Sequence, residues 1–232
     1  MTQQMQNNTY KVLGLLLQYP SDALLLVLDE CYEALTSDAL LSPENIKEIN
    51  NLINHLKNTD ILELQEEYVG LFDFKRLLSL YLFEHSHGDS RDRGQAMIDL
   101  IAHYEKDNLA LQPGELPDYL PVFLEHLSFS PPAKAAQVLA LHINTITVLE
   151  QRLQEHDSVY ASLFNGLRML SASEADKEFV MKAMKNYADK KDINKTIDDE
   201  WKEPEAFDKQ GASCRTTPLD VNRLNKQFHK EH

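Results

Sequence analysis

Apolar residues recur at intervals of three and four along most of this chain, which is the signature of amphipathic helices. In "SDALLLVLDECYEAL" the positions Leu24, Leu25, Leu28, Cys31, Tyr32 and Leu35 form one stripe. Ser21 stands directly after Pro20 as its candidate N-cap. "SPENIKEINNLINHL" repeats the device: Ser42 can cap, Pro43 suits the first helical position, and Ile46, Ile49, Ile53 and Leu56 share a face. "DILELQEEYVGLF" continues with Ile61, Leu64, Tyr68, Leu71 and Phe72 inward and Glu63, Glu66 and Glu67 outward. "LLSLYLFEH" is apolar nearly all round, so Leu77–Phe83 is expected as a helix at the centre of the fold. "RGQAMIDLIAHYE" follows as a further helix.

Around 111–121 the pattern breaks, with three prolines and a glycine in "LQPGELPDYLP". A short helix is then expected over "VFLEHLSF", and "SPP" opens a long one through "AKAAQVLALHINTITVLEQRL". The β-branched run "INTITVL" inside it offers a strand as the minor alternative. Two more helices are expected from about Ser158 to Leu170 and from Ser173 to Tyr187. No internal repeat and no convincing alternating strand is visible. The expectation is therefore an all-α, single-domain helical bundle over residues 1–190. From 191 to 232 the composition turns polar with no sustained stripe, and a mobile tail is expected, with Trp201 and Phe207 as candidates for docking.

Composition sharpens this. Only 7 glycines and 9 prolines in 232 residues disfavour an all-β sandwich or barrel. The formal charge of −14 argues against a phosphate-backbone partner and suits a basic or apolar polypeptide. Cys31 and Cys214 follow no metal or redox spacing, which fits reduced thiols in the cytoplasm. The N-terminus lacks the basic region of a secretory signal, and no run reaches the ~18 apolar residues of a membrane span. A soluble cytoplasmic chain without membrane insertion is expected.

The chemistry concentrates in "EHSHGDSRDR", which packs Glu84, His85, His87, Asp89, Arg91, Asp92 and Arg93 between two helical patterns. A metal site is one reading, as a helical metal-dependent hydrolase using Glu84, His85, His87 and Asp89. His85 and His87 are two apart, however, which sets them on different faces of a helix, and no His-Glu-x-x-His or nearby cysteine supports it. Nucleic-acid binding is weaker still, because Arg91 and Arg93 are offset by Asp89 and Asp92. The third reading is a self-paired polar corner. Gly88 can close one helix, Asp89 or Ser90 can cap the next, and Asp92 suits its first turn. Glu84 lies at the negative end of its helix, and Arg91 and Arg93 at the positive end of theirs. Each placement costs about 0.3–1 kcal/mol against the helix dipole, and pairing Glu84 with one arginine offsets both. Such a corner can fix an interhelical angle, contact a partner chain, or do both.

"LFEHSHGDSRDRGQAM" (Leu82–Met97) and "ELPDYLPVFLEHL" (Glu115–Leu127) closely resemble the NarJ-type assembly chaperones of respiratory nitrate reductase, within the TorD-like group of redox-enzyme maturation chaperones. The likeness extends more loosely through "QEEYVGLFDFKR" and "DDEWKEPEAF". It implies an all-helical fold, no catalysis and no resident cofactor or metal. It also implies binding of the N-terminal segment of the catalytic (alpha) subunit while that subunit is empty. Molybdenum cofactor and iron–sulfur insertion and membrane attachment would follow, with cofactor delivery proteins as further partners. The Glu-x-Pro-Asp segment that the group associates with partner binding falls on Glu115, Pro117 and Asp118. Tyr119 stands where the group often has histidine, so a role needing an imidazole there is in doubt. The expected partner-binding set is Glu84, His87, Asp89, Arg91, Asp92, Arg93, Glu115, Pro117, Asp118 and Tyr119.

Overall fold

The structure is a computed structural model that describes residues 7–86, 91–106, 109–112 and 114–187, the side chains of Ser86 and Arg91 excepted. The chain divides into two units, Met1–Lys191 and Asp192–His232, and every described residue belongs to the first. The expected polar tail, with Trp201 and Phe207, lies outside the described residues.

The described residues form helices without a β-sheet, as the periodicity predicts. In order these are α1 (Asn8–Leu16), α2 (Asp22–Leu26), α3 (Leu28–Asp38), α4 (Pro43–Asn58), α5 (Ile61–Tyr68), α6 (Leu82–Ser86), α7 (Arg91–Lys106), α8 (Leu120–Ser128), α9 (Pro132–Ala140), α10 (Ile143–Gln154) and α11 (Ala161–Leu170). Helical residues 177–187 are called α12. No helix among the described residues is long and apolar enough to cross a membrane.

Local signals act as expected at several starts. The Ser21 hydroxyl accepts the Leu24 N–H and the Ser42 hydroxyl accepts the Asn45 N–H, each at 3.3 Å, with Pro43 in the first turn of α4. Leu24, Leu28, Cys31 and Leu35 are buried on one stripe, and Ile49, Ile53 and Leu56 on another, while Tyr32 of the expected stripe is exposed. The N-terminal apolar run is itself a core helix. Tyr10, Leu13 and Leu16 of α1 are buried, and α1 packs chiefly along α8. Gly14 permits that approach, since a Cβ there would stand 3.0 Å from Pro121 O and 3.3 Å from Leu124 Cβ.

Four boundaries differ from the periodic reading. The stripe from Asp22 to Leu35 is carried by two helices with a break at Val27, and the span from Pro132 to Leu153 breaks at Leu141–His142, where the backbone tightens to i→i−3 bonds. "INTITVL" is helical, not a strand. The twelfth helix starts after Asp176, whose carboxylate accepts the Glu178 and Phe179 N–H groups at 2.9 and 3.2 Å, so the cap is Asp176 rather than Ser173. Similarly α11 begins at Ala161, and Ser158 lies in the preceding turn.

The largest correction concerns Leu77–Phe83. Its burial is as expected: Leu78, Leu80, Leu82 and Phe83 belong to the core. It is not one helix, however. Val69–Asp73 is a π-turn continuing α5, Arg76–Leu78 is a 3₁₀ turn, and the backbone then extends to Tyr81 before α6 starts. Extension is possible in the interior because the segment finds backbone partners on the 118–120 loop, the condition any buried chain must meet.

Candidate functional site: the Glu84–Arg93–Asp118 corner

The 80–83 and 117–120 segments are tied by their backbones. Leu82 N–H donates to Asp118 O and Leu120 N–H donates to Leu80 O, both at 2.9 Å, forming an antiparallel bridge between Tyr81 and Tyr119. The rings of Tyr81 and Tyr119 stack beside it with centroids 5.3 Å apart. Tyr119 also meets Tyr68 hydroxyl to hydroxyl at 3.2 Å, and Tyr68 donates to Leu17 O at 2.8 Å, which leaves Tyr119 as the donor of the pair. On the other side Tyr104 of α7 donates to Pro117 O at 2.7 Å. The loop is thereby held from α1, α5, α6 and α7 together.

Asp118 is the centre of this arrangement, with 0% exposure. Its Oδ2 accepts the Phe83 N–H at 3.2 Å, so with Asp118 O on Leu82 it satisfies two donors at the start of α6. The capping residue of α6 is thus some 35 positions away in sequence. Tyr119, not Asp118, precedes α8, and the Asp118 carboxylate turns back to α6.

Arg93, near the start of α7, lies between two carboxylates: 3.7 Å from Glu84 Oε1 and 3.6 Å from Asp118 Oδ2. The pairing of Glu84 with an arginine across the turn is therefore present, and Arg93 is that arginine. Both separations are too long for hydrogen bonds, so the attraction is Coulombic. Asp118 Oδ1 is buried with no hydrogen-bond partner. Burial pushes the Asp118 carboxyl above its ordinary range, with the Phe83 N–H and Arg93 opposing and Glu84 adding to the rise. The site holds a carboxylate at some cost, a feature more common at functional positions than in ordinary cores.

The other expected residues are dispersed. Asp92 is exposed in the first turn of α7. Glu115 is exposed and accepts the Gln112 N–H at 2.9 Å, with exposed Leu116 next to it, while Pro117 is buried. Arg91 begins α7, and His87, Asp89, Gly88 and Ser90 lie outside the described residues. His85 turns inward, its Nε2 2.8 Å from Ser79 O, and burial pulls its pKa below the usual value. Among the described residues no three His, Cys, Asp or Glu side chains gather as a metal site. Tyr68, Tyr81 and Tyr104 belong to the corner but escape sequence reasoning, because nothing local marks a tyrosine as the holder of a loop 13 to 51 positions away.

Away from the corner, α10, α11 and α12 leave a groove of about 910 Å³ lined by Met169, Val180, Met181 and Met184, with the Glu150–Arg168 ion pair (2.8 Å) at its edge.

The fold, with its loop clamped between α6 and α7, is all-helical and is shared with a solved protein. A crystal structure described as that of a redox enzyme maturation protein from Archaeoglobus fulgidus superposes with a TM-score of 0.50 at 23% identity, covering 68% of this chain and 89% of the other. The sequence shows the family. The family described as "Nitrate reductase delta subunit" matches residues 38–165. A protein of Escherichia coli (strain K12) described as a probable nitrate reductase molybdenum cofactor assembly chaperone, NarW, is 36% identical over 224 residues, 95% of this chain and 92% of that protein. The nitrate reductase molybdenum cofactor assembly chaperone NarJ of the same organism is 38% identical over 192 residues, 83% and 81% of the two chains. The chain belongs to this nitrate reductase delta subunit family, that of the NarJ-type assembly chaperones.

Proposed function

We propose that the protein is a cytoplasmic, system-specific chaperone for respiratory nitrate reductase. It binds the N-terminal segment of the empty catalytic (alpha) subunit and keeps that subunit competent for molybdenum cofactor and iron–sulfur insertion before membrane attachment. It makes and breaks no bonds itself. The observation that carries this reading is the 38% identity to NarJ across 83% of the chain.

The recognition surface in this reading is the outer face of the corner. Asp118 and Pro117 act from inside, setting the loop on which Glu115, Leu116 and Tyr119 stand, and Glu84 and Arg93 act at its edge beside Asp92. The chain's charge of −14 favours a peptide with basic residues, and acidic side chains near the loop speed encounter and set register. The exposed Leu116 and the half-buried Tyr81 and Tyr119 rings offer the apolar contact from which affinity comes.

Isothermal titration of the alpha subunit's N-terminal peptide into the full chain tests this. Leu116→Asp and Glu115→Lys change exposed side chains, so the fold is retained. We expect a loss of at least about tenfold in affinity, or about 1.4 kcal/mol, for the Leu116 variant, and no change for Met181→Asp in the methionine groove. The opposite pattern moves the peptide to that groove, and no binding by the unaltered chain rejects the reading.

A further inference from the structure

The twelfth helix runs alongside α10 in the same direction. Asp176 N–H donates to Asn144 Oδ1 at 2.8 Å, Arg152 Nη2 donates to Ala183 O at 3.5 Å, and His156 Nε2 meets the Tyr187 hydroxyl at 2.5 Å. Residues on its two sides line two different hollows. One is the methionine groove. The other, of about 490 Å³, is lined by Arg76, His85, Arg152, Phe179, Lys182 and Asn186, with Glu84 at the corner end. A chain of net charge −14 thus brings Arg152 and Lys182 to one cleft, with Arg76 at its wall. Among the described lining residues the one carboxylate is Glu84, which already faces Arg93.

Arg152 is the unusual member. It is 6% exposed, and its Nη1 donates to Leu77 O at 2.6 Å while its charge stands 5.1 Å from the centre of the Tyr187 ring. No carboxylate among the described residues lies within ion-pair distance of it, and its Nε is buried without a hydrogen-bond partner. A guanidinium taken out of water is costly; Glu155 offsets part of that charge from a distance, but no carboxylate closes on it as an ion pair among the described residues. Lys182 is exposed at the same cavity and makes no ion pair among the described residues. Thr145 and Asn186 add neutral donors.

We propose that this cleft is an oxyanion site that takes a phosphate-class group, free or carried on a small molecule. The volume is within the range of small-molecule sites. A carboxylate brings one charge and two oxygens, whereas a phosphate dianion matches several cations and donors contributed by separate elements. The bound anion supplies the close ion-pair partner that Arg152 lacks among the described residues and bridges α10 to α12 through Lys182. This site is separate from the outer face of the 115–119 loop and does not depend on the peptide reading.

The test is calorimetric titration of the full chain with inorganic phosphate and with pyrophosphate at constant ionic strength. We expect saturable one-to-one binding that Lys182→Glu weakens at least about tenfold. Lys177→Glu, on the opposite side of the same helix, leaves it unchanged. Both lysines are exposed, so neither substitution threatens folding, and unchanged melting midpoints confirm that. Absence of saturable binding overturns the proposal, and so does an equal loss in the two variants, which marks general attraction. Binding of a glutamate-rich peptide with both phosphates silent also overturns it and assigns the cleft to an acidic partner chain.

Discussion

Replacing Arg93 with methionine removes the one cation that, among the described residues, is paired with the fully buried Asp118 carboxylate. Each of its two contacts, at 3.6 and 3.7 Å, has a gross Coulomb energy of about 4 kcal/mol at an effective dielectric of 20. Orphaning one partner of a buried pair costs about 3–5 kcal/mol, because the remaining charge has no solvent. Arg93 is 21% exposed and makes no hydrogen bond to either acid, which lowers the expected loss to about 2–3 kcal/mol. Asp118→Asn keeps an oxygen for the Phe83 N–H and removes the costly charge, so it is expected to change stability by less than about 1 kcal/mol. The double variant then recovers at least half of the Arg93 loss, a coupling of about 1–2 kcal/mol in a double-mutant cycle read by urea unfolding. The Asp118 carboxyl is already raised above 3.8 by burial, and losing Arg93 raises it further. The folded state therefore holds this proton more tightly than the unfolded state, and the penalty grows as pH rises through that window. The Arg93→Met deficit should be largest at neutral pH and shrink toward about pH 4. Additive effects within about 0.5 kcal/mol, or a deficit that does not shrink on acidification, refute the claim that Arg93 compensates Asp118.

Three further outcomes follow from single contacts. Tyr104→Phe leaves the buried Pro117 carbonyl without its 2.7 Å donor, and should cost about 1–2 kcal/mol in chemical denaturation. Gly14→Ala drives a methyl to 3.0 Å from Pro121 O at the α1–α8 contact; a loss of about 1–3 kcal/mol, or a melting midpoint lower by several degrees, is expected. His85 has its pKa held below 6.5 by burial, so the unfolded chain binds more protons and stability should fall as pH drops below about 6.5. His85→Gln should flatten that part of the melting profile between pH 5 and 7, and an unchanged slope would exclude His85 as its source.

Much of the fold is legible in the chain because helices are specified locally. Ser21, Ser42 and Pro43 act within one turn of where they stand, and the stripes of α3 and α4 need only a core to face. Where local and distant terms compete, the reading fails. Leu77–Phe83 has the apolarity of a buried helix, but its backbone donors and acceptors are met across the fold by Asp118 and Leu120, so extension is no longer penalised. The cap of the twelfth helix went to Asp176 rather than Ser173 because both are good caps and packing on Asn144 selects between them. At the corner, the sequence made the Glu84–arginine pairing foreseeable from helix-dipole sign alone. It did not reveal that Asp118 is the second carboxylate.

The sequence by itself determined the helical class, most helix starts, the acidic balance and, through two motifs, the family. Those properties depend on residue type and on spacing within a few turns. Tertiary structure alone decided that Arg93 serves two acids, that a loop aspartate caps a helix 35 positions earlier, and that buried Arg152 faces a cleft with no carboxylate at ion-pair distance among the described residues. Each of these is a matter of distance and dielectric between segments remote in the chain, and neither quantity is written in local pattern.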